Sequence, residues 1–121
     1  VLLADIDLAT AERAKAGIES ALGKLVIREK LSEAEASATL ARIEPVAGYD
    51  AMAEAEFAIE AATEREEVKR AIFERVGAVL SAGAILASNT SSIPITRMAK
   101  HAPDPSRFIG LHFFNPVPLM P

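Results

Sequence analysis

The sequence predicts an α/β fold, in which a mostly parallel sheet is covered by helices on both faces. Short apolar runs such as residues 1–4 and 84–87 alternate with longer amphipathic stretches, and this alternation is typical of parallel sheets with crossover helices. Half of the 121 residues are apolar and a quarter are charged, as in ordinary globular domains. Polar residues directly follow the apolar runs, where α/β proteins bind their ligands.

The first half of the chain contains a strand, two helices and a second strand. After the first strand, apolar residues at helical spacing predict a helix over residues 10–30. Asp7 or Thr10 could cap its start. A serine followed three residues later by a glutamate forms a capping box, which predicts a second helix over residues 32–42. Residues 43–46 form a poor strand, because its proline suits only the edge of a sheet.

The middle of the chain contains a short helix, a strand and a long helix. A turn that ends in an aspartate predicts the short helix over residues 50–55. Residues 56–59 form the next strand, which meets Glu60. A long helix is expected over residues 64–80, and the three glutamates of its first turn suit the positive end of the helix dipole. Its expected buried face consists of Val68, Ile72, Val76 and Val79.

The last third of the chain contains two more strands, and polar residues follow each of them. Residues 84–87 form a buried strand that ends in Ser-Asn-Thr-Ser-Ser. Pro94 predicts the start of a short helix to about residue 101, because proline is favoured at the first helical position. The final strand spans residues 108–111.

The polar residues after these strands predict a binding cleft. Asp5, Glu60, residues 88–92 and His112 all follow predicted parallel strands, so we expect them to share one edge of the sheet. His112 is the most informative of them, because an imidazole can take and return protons near neutral pH. Without its flanking motif, His112 would be explained better by a polar strand end that bonds to the backbone.

The composition excludes several classes of function. A net charge of −4 argues against a nucleic-acid partner, because phosphate binding needs a basic excess. No apolar run reaches the length of a membrane span. Cysteine is absent, which excludes disulfides and thiolate sites and fits a reducing, cytoplasmic location. We also expect the chain to be the interior of a longer protein, because it starts within a strand and stops without a helix or tail.

Two long motifs resemble a known enzyme family. The run Ala-Ser-Asn-Thr-Ser-Ser-Ile at residues 87–93, followed by Gly-Leu-His-Phe-Phe-Asn-Pro-Val-Pro at residues 110–118, closely resembles the L-3-hydroxyacyl-CoA dehydrogenase family. Residues 1–5 and 59–61, with Glu64, fit the same pattern in the same order. The resemblance implies a Rossmann-type, doubly wound NAD domain followed by a helical domain, in an enzyme that oxidises the 3-hydroxyl of an acyl-CoA. Bacterial fatty-acid oxidation proteins and short-chain hydroxybutyryl-CoA enzymes look most similar.

The same resemblance implies which residues act on the substrate. His112 would be the general base that takes the hydroxyl proton while hydride leaves for the nicotinamide. Ser91 would reach substrate and cofactor, because a hydroxyl donates and accepts at once. Helix capping is the competing explanation for Ser91, and Ser92 is also a candidate for that cap. Arg28 stands where relatives carry a basic residue toward the CoA phosphates, but Ala21 replaces a family serine on the same helix.

Besides Ser91, five residues match cofactor contacts of the family. Asp5 would accept hydrogen bonds from the adenosine ribose and repel a 2′-phosphate, which favours NAD over NADP. Asn89 and Asn115 match positions near the nicotinamide, and turn chemistry is their competing explanation. Glu64 and Lys69 match a cofactor contact and a nearby basic contact. Apart from the resemblance, both would be solvated charges on a helix.

Several parts of the family pattern are expected outside the chain. These are the first strand with its glycine-rich phosphate loop, the acidic partner of His112, and the helical substrate and dimerisation domain. In the strand order 3-2-1-4-5-6, the absent first strand would leave a slot in the middle of the sheet. We therefore expect residues 1–121 to be a partial NAD-binding domain that is unstable and inactive on its own.

The sequence leaves three functions open for the whole protein. The first, which we expect, is an NAD-dependent dehydrogenase for acyl-CoA substrates, in a homodimer or a multifunctional complex. The second is a non-catalytic relative of the same fold, which a non-acidic residue at the position of the histidine's partner would favour. The third is a hydroxy-acid dehydrogenase that does not use CoA, which tight binding of free acids would favour.

Overall fold

The chain folds as two compact units that each contain parallel strands. A computed structural model describes residues 1–114. The first unit is Val1–Ala51, and the second begins at Met52. All strand pairs within the described residues are parallel. They form one two-stranded sheet and one three-stranded sheet. Helices follow the strands, so the predicted α/β class is confirmed.

The first unit contains a two-stranded sheet and two helices. Its elements are β1 (Leu2–Ala4), α1 (Leu8–Ile27), α2 (Glu33–Ala41) and β2 (Glu44–Val46). β1 and β2 pair from Leu2 opposite Glu44 to Ala4 opposite Val46. Asp7 is the N-cap of α1 and its carboxylate accepts a hydrogen bond from the Thr10 amide at 2.7 Å. The cap is therefore Asp7 and not Thr10, so the helix starts at residue 8 and not at residue 10.

The predicted end of α1 at residue 30 is wrong for a local reason. Glu29 has a φ of 55°, in the left-handed region that stops an α-helix. Its amide donates to the Val26 carbonyl, and the Lys30 amide donates to the Leu25 carbonyl, each at 2.9 Å. These two bonds are the Schellman pattern, which satisfies the last carbonyls of the helix. The helix therefore ends at Ile27.

The capping box predicted before α2 is present. The Glu35 amide donates to the Ser32 hydroxyl at 3.2 Å, and the Ser32 amide donates back to the Glu35 carboxylate at 3.0 Å. Because two free amides of the helix terminus are satisfied at once, α2 starts where the pattern places it.

The second unit contains the three-stranded sheet. Its elements are β3 (Phe57–Glu60), α3 (Glu66–Gly77), β4 (Ile85–Ser88), α4 (Ile95–Met98) and β5 (Phe108–Gly110), with 3₁₀ helices at Asp50–Met52, Ala99–His101 and Pro105–Arg107 outside the strands. Asp50–Met52 spans the junction of the two units and replaces the short helix expected over residues 50–55. The strand order is β3-β4-β5. Within residues 1–114, no helix is long and apolar enough to cross a membrane.

The buried face of α3 differs from the predicted one. Phe73 and Val76 are buried, and the rings of Phe73 and of Phe108 on β5 form a T-shaped pair with 5.2 Å between centroids. Lys69 is also buried, with only 1% of its surface exposed. Of the predicted face, Val76 alone is fully buried, while Val68, Ile72 and Val79 are half-buried. The helix is rotated relative to the expectation because it places a lysine, and not a valine, against the end of β3.

Candidate functional site

The sheet register of the second unit places several polar residues at one edge. Glu60 at the end of β3 lies opposite Ser88 at the end of β4, and Ser88 lies opposite Gly110 at the end of β5. The residues that follow these strands therefore leave the sheet side by side, at its carboxyl edge. Asn89 and His112 belong to them.

His112 is held at this edge by hydrogen bonds on both sides. The Leu111 amide donates to the Ser88 carbonyl at 3.0 Å, and the Phe113 amide donates to the Asn89 side-chain oxygen at 2.7 Å. The His112 side chain itself is exposed. Its ring packs against the ring of Phe114 with 4.8 Å between centroids. The backbone thus holds His112 in place and leaves its imidazole open to a ligand.

Asn89 connects the strand ends. The backbone amide of Asn89 donates to the Glu60 carbonyl at 2.8 Å, while its side-chain oxygen accepts a hydrogen bond from the Phe113 backbone amide. The side-chain bond joins residues 24 apart in the chain, so it is not the local turn contact that was the competing explanation for Asn89. Contact of Asn89 with a nicotinamide stays a prediction, and Asn115, the other asparagine of that prediction, lies outside the described residues.

Glu64 organises the loop after β4. One of its oxygens, Oε1, accepts hydrogen bonds from the Thr90 hydroxyl, from the Ser91 amide at 3.0 Å, and from the Ser92 amide and hydroxyl at 3.0 Å each. The expectation of a charge on a helix is wrong, because α3 begins only at Glu66 and Glu64 bonds to the loop instead, although its side chain is still 38% exposed. Its contact with a cofactor stays a prediction.

These hydrogen bonds keep Glu64 ionised. They lower the pKa of Glu64 from 4.5 to about 2, with the Thr90 hydroxyl as the largest cause and the Ser92 amide as the next. Desolvation acts in the opposite direction and is outweighed. The loop around Ser91 is therefore built on a carboxylate that is charged throughout the neutral range.

Neither serine of the Ser-Ser pair caps α4. The N-cap is Pro94, which makes no side-chain capping bond, whereas the Thr90 hydroxyl accepts the Ile93 amide at 3.1 Å. Capping as the explanation of Ser91 or Ser92 is therefore wrong, because α4 has no side-chain capping bond and the Ser92 hydroxyl donates to Glu64 instead. Ser91 is exposed, so its hydroxyl is accessible to a ligand.

A buried cluster of Glu60, Lys69 and Ser88 lies below this edge, and the sequence reasoning missed it. The Lys69 ammonium donates to both oxygens of Glu60, at 2.8 and 2.9 Å, and the Ser88 hydroxyl donates to Glu60 at 2.5 Å. The side chains of Lys69 and Glu60 are each 1% exposed. The available signal was spacing, since Lys69 stands four residues before Phe73 and shares its helix face.

Lys69 is therefore not the solvated helix charge that its residue type suggested. Its ammonium is buried against Glu60 and lies 3.8 Å from the second oxygen of Glu64. It links the end of β3 to the residue that holds the loop after β4. A direct contact of Lys69 with a cofactor stays a prediction.

The first unit carries the two remaining predicted site residues. Asp5 is exposed directly after β1, and one of its carboxylate oxygens accepts the Ile6 amide at 2.6 Å. Arg28 is exposed at the C-terminal cap of α1, and Ala21 is exposed on the same helix. A carboxylate placed after a strand in this way can accept hydroxyl groups of a ligand.

Comparisons with known proteins identify what this chain is similar to. The family model for 3-hydroxyacyl-CoA dehydrogenase, NAD binding domain, matches residues 1–121. The 3-hydroxyadipyl-CoA dehydrogenase of Escherichia coli (strain K12) is 45% identical over 120 residues, which is 99% of this chain and 25% of that protein. The fatty acid oxidation complex subunit alpha of Acinetobacter baylyi is 47% identical over 100 residues, which is 83% of this chain and 14% of that protein.

A solved structure agrees with these relatives. The (S)-3-hydroxybutyryl-CoA dehydrogenase of Ralstonia eutropha superposes with a TM-score of 0.95 at 42% identity, over 99% of this chain and 42% of that one. The chain thus spans well under half the length of each of these proteins.

Proposed function

Because this chain belongs to the 3-hydroxyacyl-CoA dehydrogenase family, as its motifs predicted, we propose that its protein oxidises the 3-hydroxyl of an L-3-hydroxyacyl-CoA to a ketone. The matched region is the NAD binding domain of that family, so NAD is the cofactor. The fold is of the Rossmann type, as in the similar solved dehydrogenase structure.

The observation that carries the proposal is the placement of His112. Its two neighbours in the chain, Leu111 and Phe113, are bonded to Ser88 and Asn89 at the end of β4. The exposed imidazole is thereby held next to the loop that carries the exposed Ser91. An exposed base and an exposed hydroxyl, both presented at the carboxyl edge of one parallel sheet, are the groups that alcohol oxidation needs.

The residues present fit NAD. Asp5 presents an exposed carboxylate after β1, which suits ribose hydroxyls and opposes a 2′-phosphate. Asn89, Ser91 and Glu64 lie at the carboxyl edge of the second unit, and we expect them to contact the nicotinamide side of the cofactor. When bound, NAD supplies an acceptor for the hydride that leaves the substrate carbon.

The chemistry assigned to this chain is the movement of one proton. The imidazole of His112 accepts the proton of the substrate hydroxyl, which leaves the oxygen electron-rich and favours carbonyl formation. The hydroxyl of Ser91 donates to that oxygen and orients it. Glu64 holds the Ser91 amide at 3.0 Å, so that Ser91 stays in position while the proton moves.

The remaining features of the whole protein are part of the same proposal. Arg28, the C-cap residue of α1, is the candidate contact for the CoA phosphates, because it is a cation at an exposed helix end. The protein acts in fatty-acid or short-chain acyl-CoA oxidation, in the cytoplasm, as a homodimer or within a complex. The similarity to a fatty acid oxidation complex subunit supports this placement.

The experiment compares His112→Gln with His101→Gln in the full-length protein. We expect His112→Gln to lower kcat for an L-3-hydroxyacyl-CoA by at least about a hundredfold, because a general base contributes on the order of 10² to 10⁴. His101 lies in the 3₁₀ helix Ala99–His101, and its variant should retain activity. Calorimetry should show that both variants still bind NAD.

Two outcomes would contradict the proposal. Equal activity of the two histidine variants would remove His112 from the role of base. Equal turnover of free 3-hydroxybutyrate and of its CoA thioester by the unaltered protein would remove CoA from the substrate and favour a hydroxy-acid dehydrogenase.

A further inference from the structure

We propose that Glu60 is a positioning residue for His112 and for the loop that carries Ser91. This inference rests on the function proposed above, in which His112 takes the substrate proton. The side chain of Glu60 is 1% exposed, so it acts through its neighbours Ser88 and Lys69 and not by touching the substrate.

The carboxylate of Glu60 is fully bonded within the second unit. Oε1 accepts the Ala62 amide at 2.6 Å and the Lys69 ammonium at 2.8 Å. Oε2 accepts the Ser88 hydroxyl at 2.5 Å and the same ammonium at 2.9 Å. These bonds join the end of β3, the residues after it, the helix α3 and the end of β4 at one point.

Stability alone is a weak reason for such a cluster. Transfer of a carboxylate and an ammonium out of water costs free energy that their attraction often does not recover, and apolar side chains of similar size would fill the space as well. Glu60, Lys69 and Ser88 are at most 5% exposed, so the desolvation is nearly complete. A geometric requirement accounts for the cluster better, because charged hydrogen bonds fix directions that apolar contacts leave free.

The first route from the cluster leads to His112. The Glu60 carbonyl accepts the Asn89 amide at 2.8 Å, and the Ser88 carbonyl accepts the Leu111 amide at 3.0 Å. Glu60 and Ser88, whose side chains are bonded to each other, therefore also hold the first residues after β4 and β5 through their backbone carbonyls. A shift of Ser88 relative to Glu60 would move Leu111, and His112 with it.

The second route leads to Ser91. The Lys69 ammonium lies 3.8 Å from Glu64 Oε2, while Glu64 Oε1 holds Thr90, Ser91 and Ser92. Lys69 thus contacts both Glu60, which we propose positions His112, and Glu64, which holds the loop of Ser91. The cluster couples the positions of His112 and Ser91 through residues that do not reach the substrate.

The test compares Ser88→Val with Ser88→Thr in the full-length protein. Valine and threonine are similar in shape, and only threonine keeps the hydroxyl that donates to Glu60. We expect kcat of Ser88→Val to be about tenfold below that of Ser88→Thr, because small misplacements of a reacting group are costly, with the Kd for NAD changed less than about twofold.

A second readout does not require turnover. Hydrogen exchange at the Asn89 and Leu111 amides should be faster in Ser88→Val than in Ser88→Thr. These amides donate to the carbonyls of Glu60 and Ser88, so a loosened cluster would open their hydrogen bonds more often. Equal kcat in the two variants overturns the proposal, whatever their melting temperatures or exchange rates. If the unaltered protein turns over no 3-hydroxyacyl-CoA but exchange differs as expected, the proposed function fails and the positioning of the edge by Glu60 stands.

A double variant keeps the proposal testable if Ser88→Val does not fold. Glu60→Gln with Lys69→Met removes both charges together, so no buried charge is left unpaired. We expect this protein to fold and to show the same loss of kcat and the same faster exchange at Asn89 and Leu111. Wild-type kcat in the folded double variant overturns the proposal.

Discussion

Glu64 shows how one side chain can hold a loop. A single oxygen of its carboxylate accepts four hydrogen bonds from three consecutive residues, Thr90, Ser91 and Ser92. Because these donors favour the charged form, the pKa of Glu64 falls to about 2. The loop beside His112 is therefore held by an interaction that depends on pH.

The sign of that dependence is a prediction at the residue scale. The folded pKa of Glu64 is depressed, so its contribution to stability is fully present above the unfolded pKa of 4.5 and is lost as pH falls toward about 2. The difference in unfolding free energy between the wild type and Glu64→Gln should be largest at neutral pH and shrink across this window. Denaturant titrations at several pH values measure it.

Glu74→Gln is the matched control for this titration. Glu74 is an exposed glutamate on α3, and its carboxylate lies 3.8 Å from Arg70 at the surface. An exposed pair of this kind contributes little, so its variant should show a small difference at every pH. A Glu64→Gln difference that does not change between pH 7 and pH 3 would contradict the role of the loop contacts.

At the scale of elements, two helical glycines have opposite surroundings. A Cβ at Gly77, the last residue of α3, would lie 2.8 and 2.9 Å from ring atoms of Pro103. A Cβ at Gly23, within α1, would have no atom within 4 Å. Helix propensity favours alanine at both positions, but a proline ring does not move aside.

We therefore predict opposite effects for the two alanine substitutions. Gly23→Ala should stabilise the protein by about 0.5 to 1 kcal/mol, because it lowers the entropy of the unfolded chain. Gly77→Ala should destabilise it by about 1 kcal/mol, since overpacking typically costs about 1 to 3 kcal/mol. Urea unfolding of both variants measures the two values. Equal stabilisation would mean that Pro103 does not pack against the end of α3 as described.

At the scale of the whole molecule, cofactor choice should be visible in thermal stability. A ligand at a hundred times its Kd stabilises the folded state by about 2.7 kcal/mol, so we expect NAD to raise the melting temperature clearly. NADP at the same concentration should raise it much less, because the exposed carboxylate of Asp5 repels a 2′-phosphate.

Asp5→Asn provides the control for this comparison. It removes the charge and keeps the side-chain oxygen that accepts the Ile6 amide at 2.6 Å. The difference between NAD and NADP should narrow in this variant. If the two cofactors already shift the melting temperature equally in the wild type, Asp5 does not select between them.

Local patterns were sufficient for much of the fold. The capping box at Ser32 and Glu35 was correct because both of its hydrogen bonds lie within one helical turn. The strands were found because continuous apolar runs are typical of buried parallel strands. The end of α1 was missed because Glu29 adopts a left-handed conformation, which is most often a property of glycine.

The sequence by itself determined the fold class and the family, since these depend on neighbours in the chain and on spacing, and its motifs predict His112 and Ser91 as site residues. Only the tertiary structure decided that Glu60, Lys69 and Ser88 bond to one another. Lys69 lies 9 residues and Ser88 lies 28 residues after Glu60 in the chain, and the register of β3 and β4 brings Ser88 opposite Glu60. The same holds for Glu64, which bonds to a loop 26 to 28 residues away. Buried charges can be tolerated only where folding brings their partners to them, and no local pattern reports that meeting.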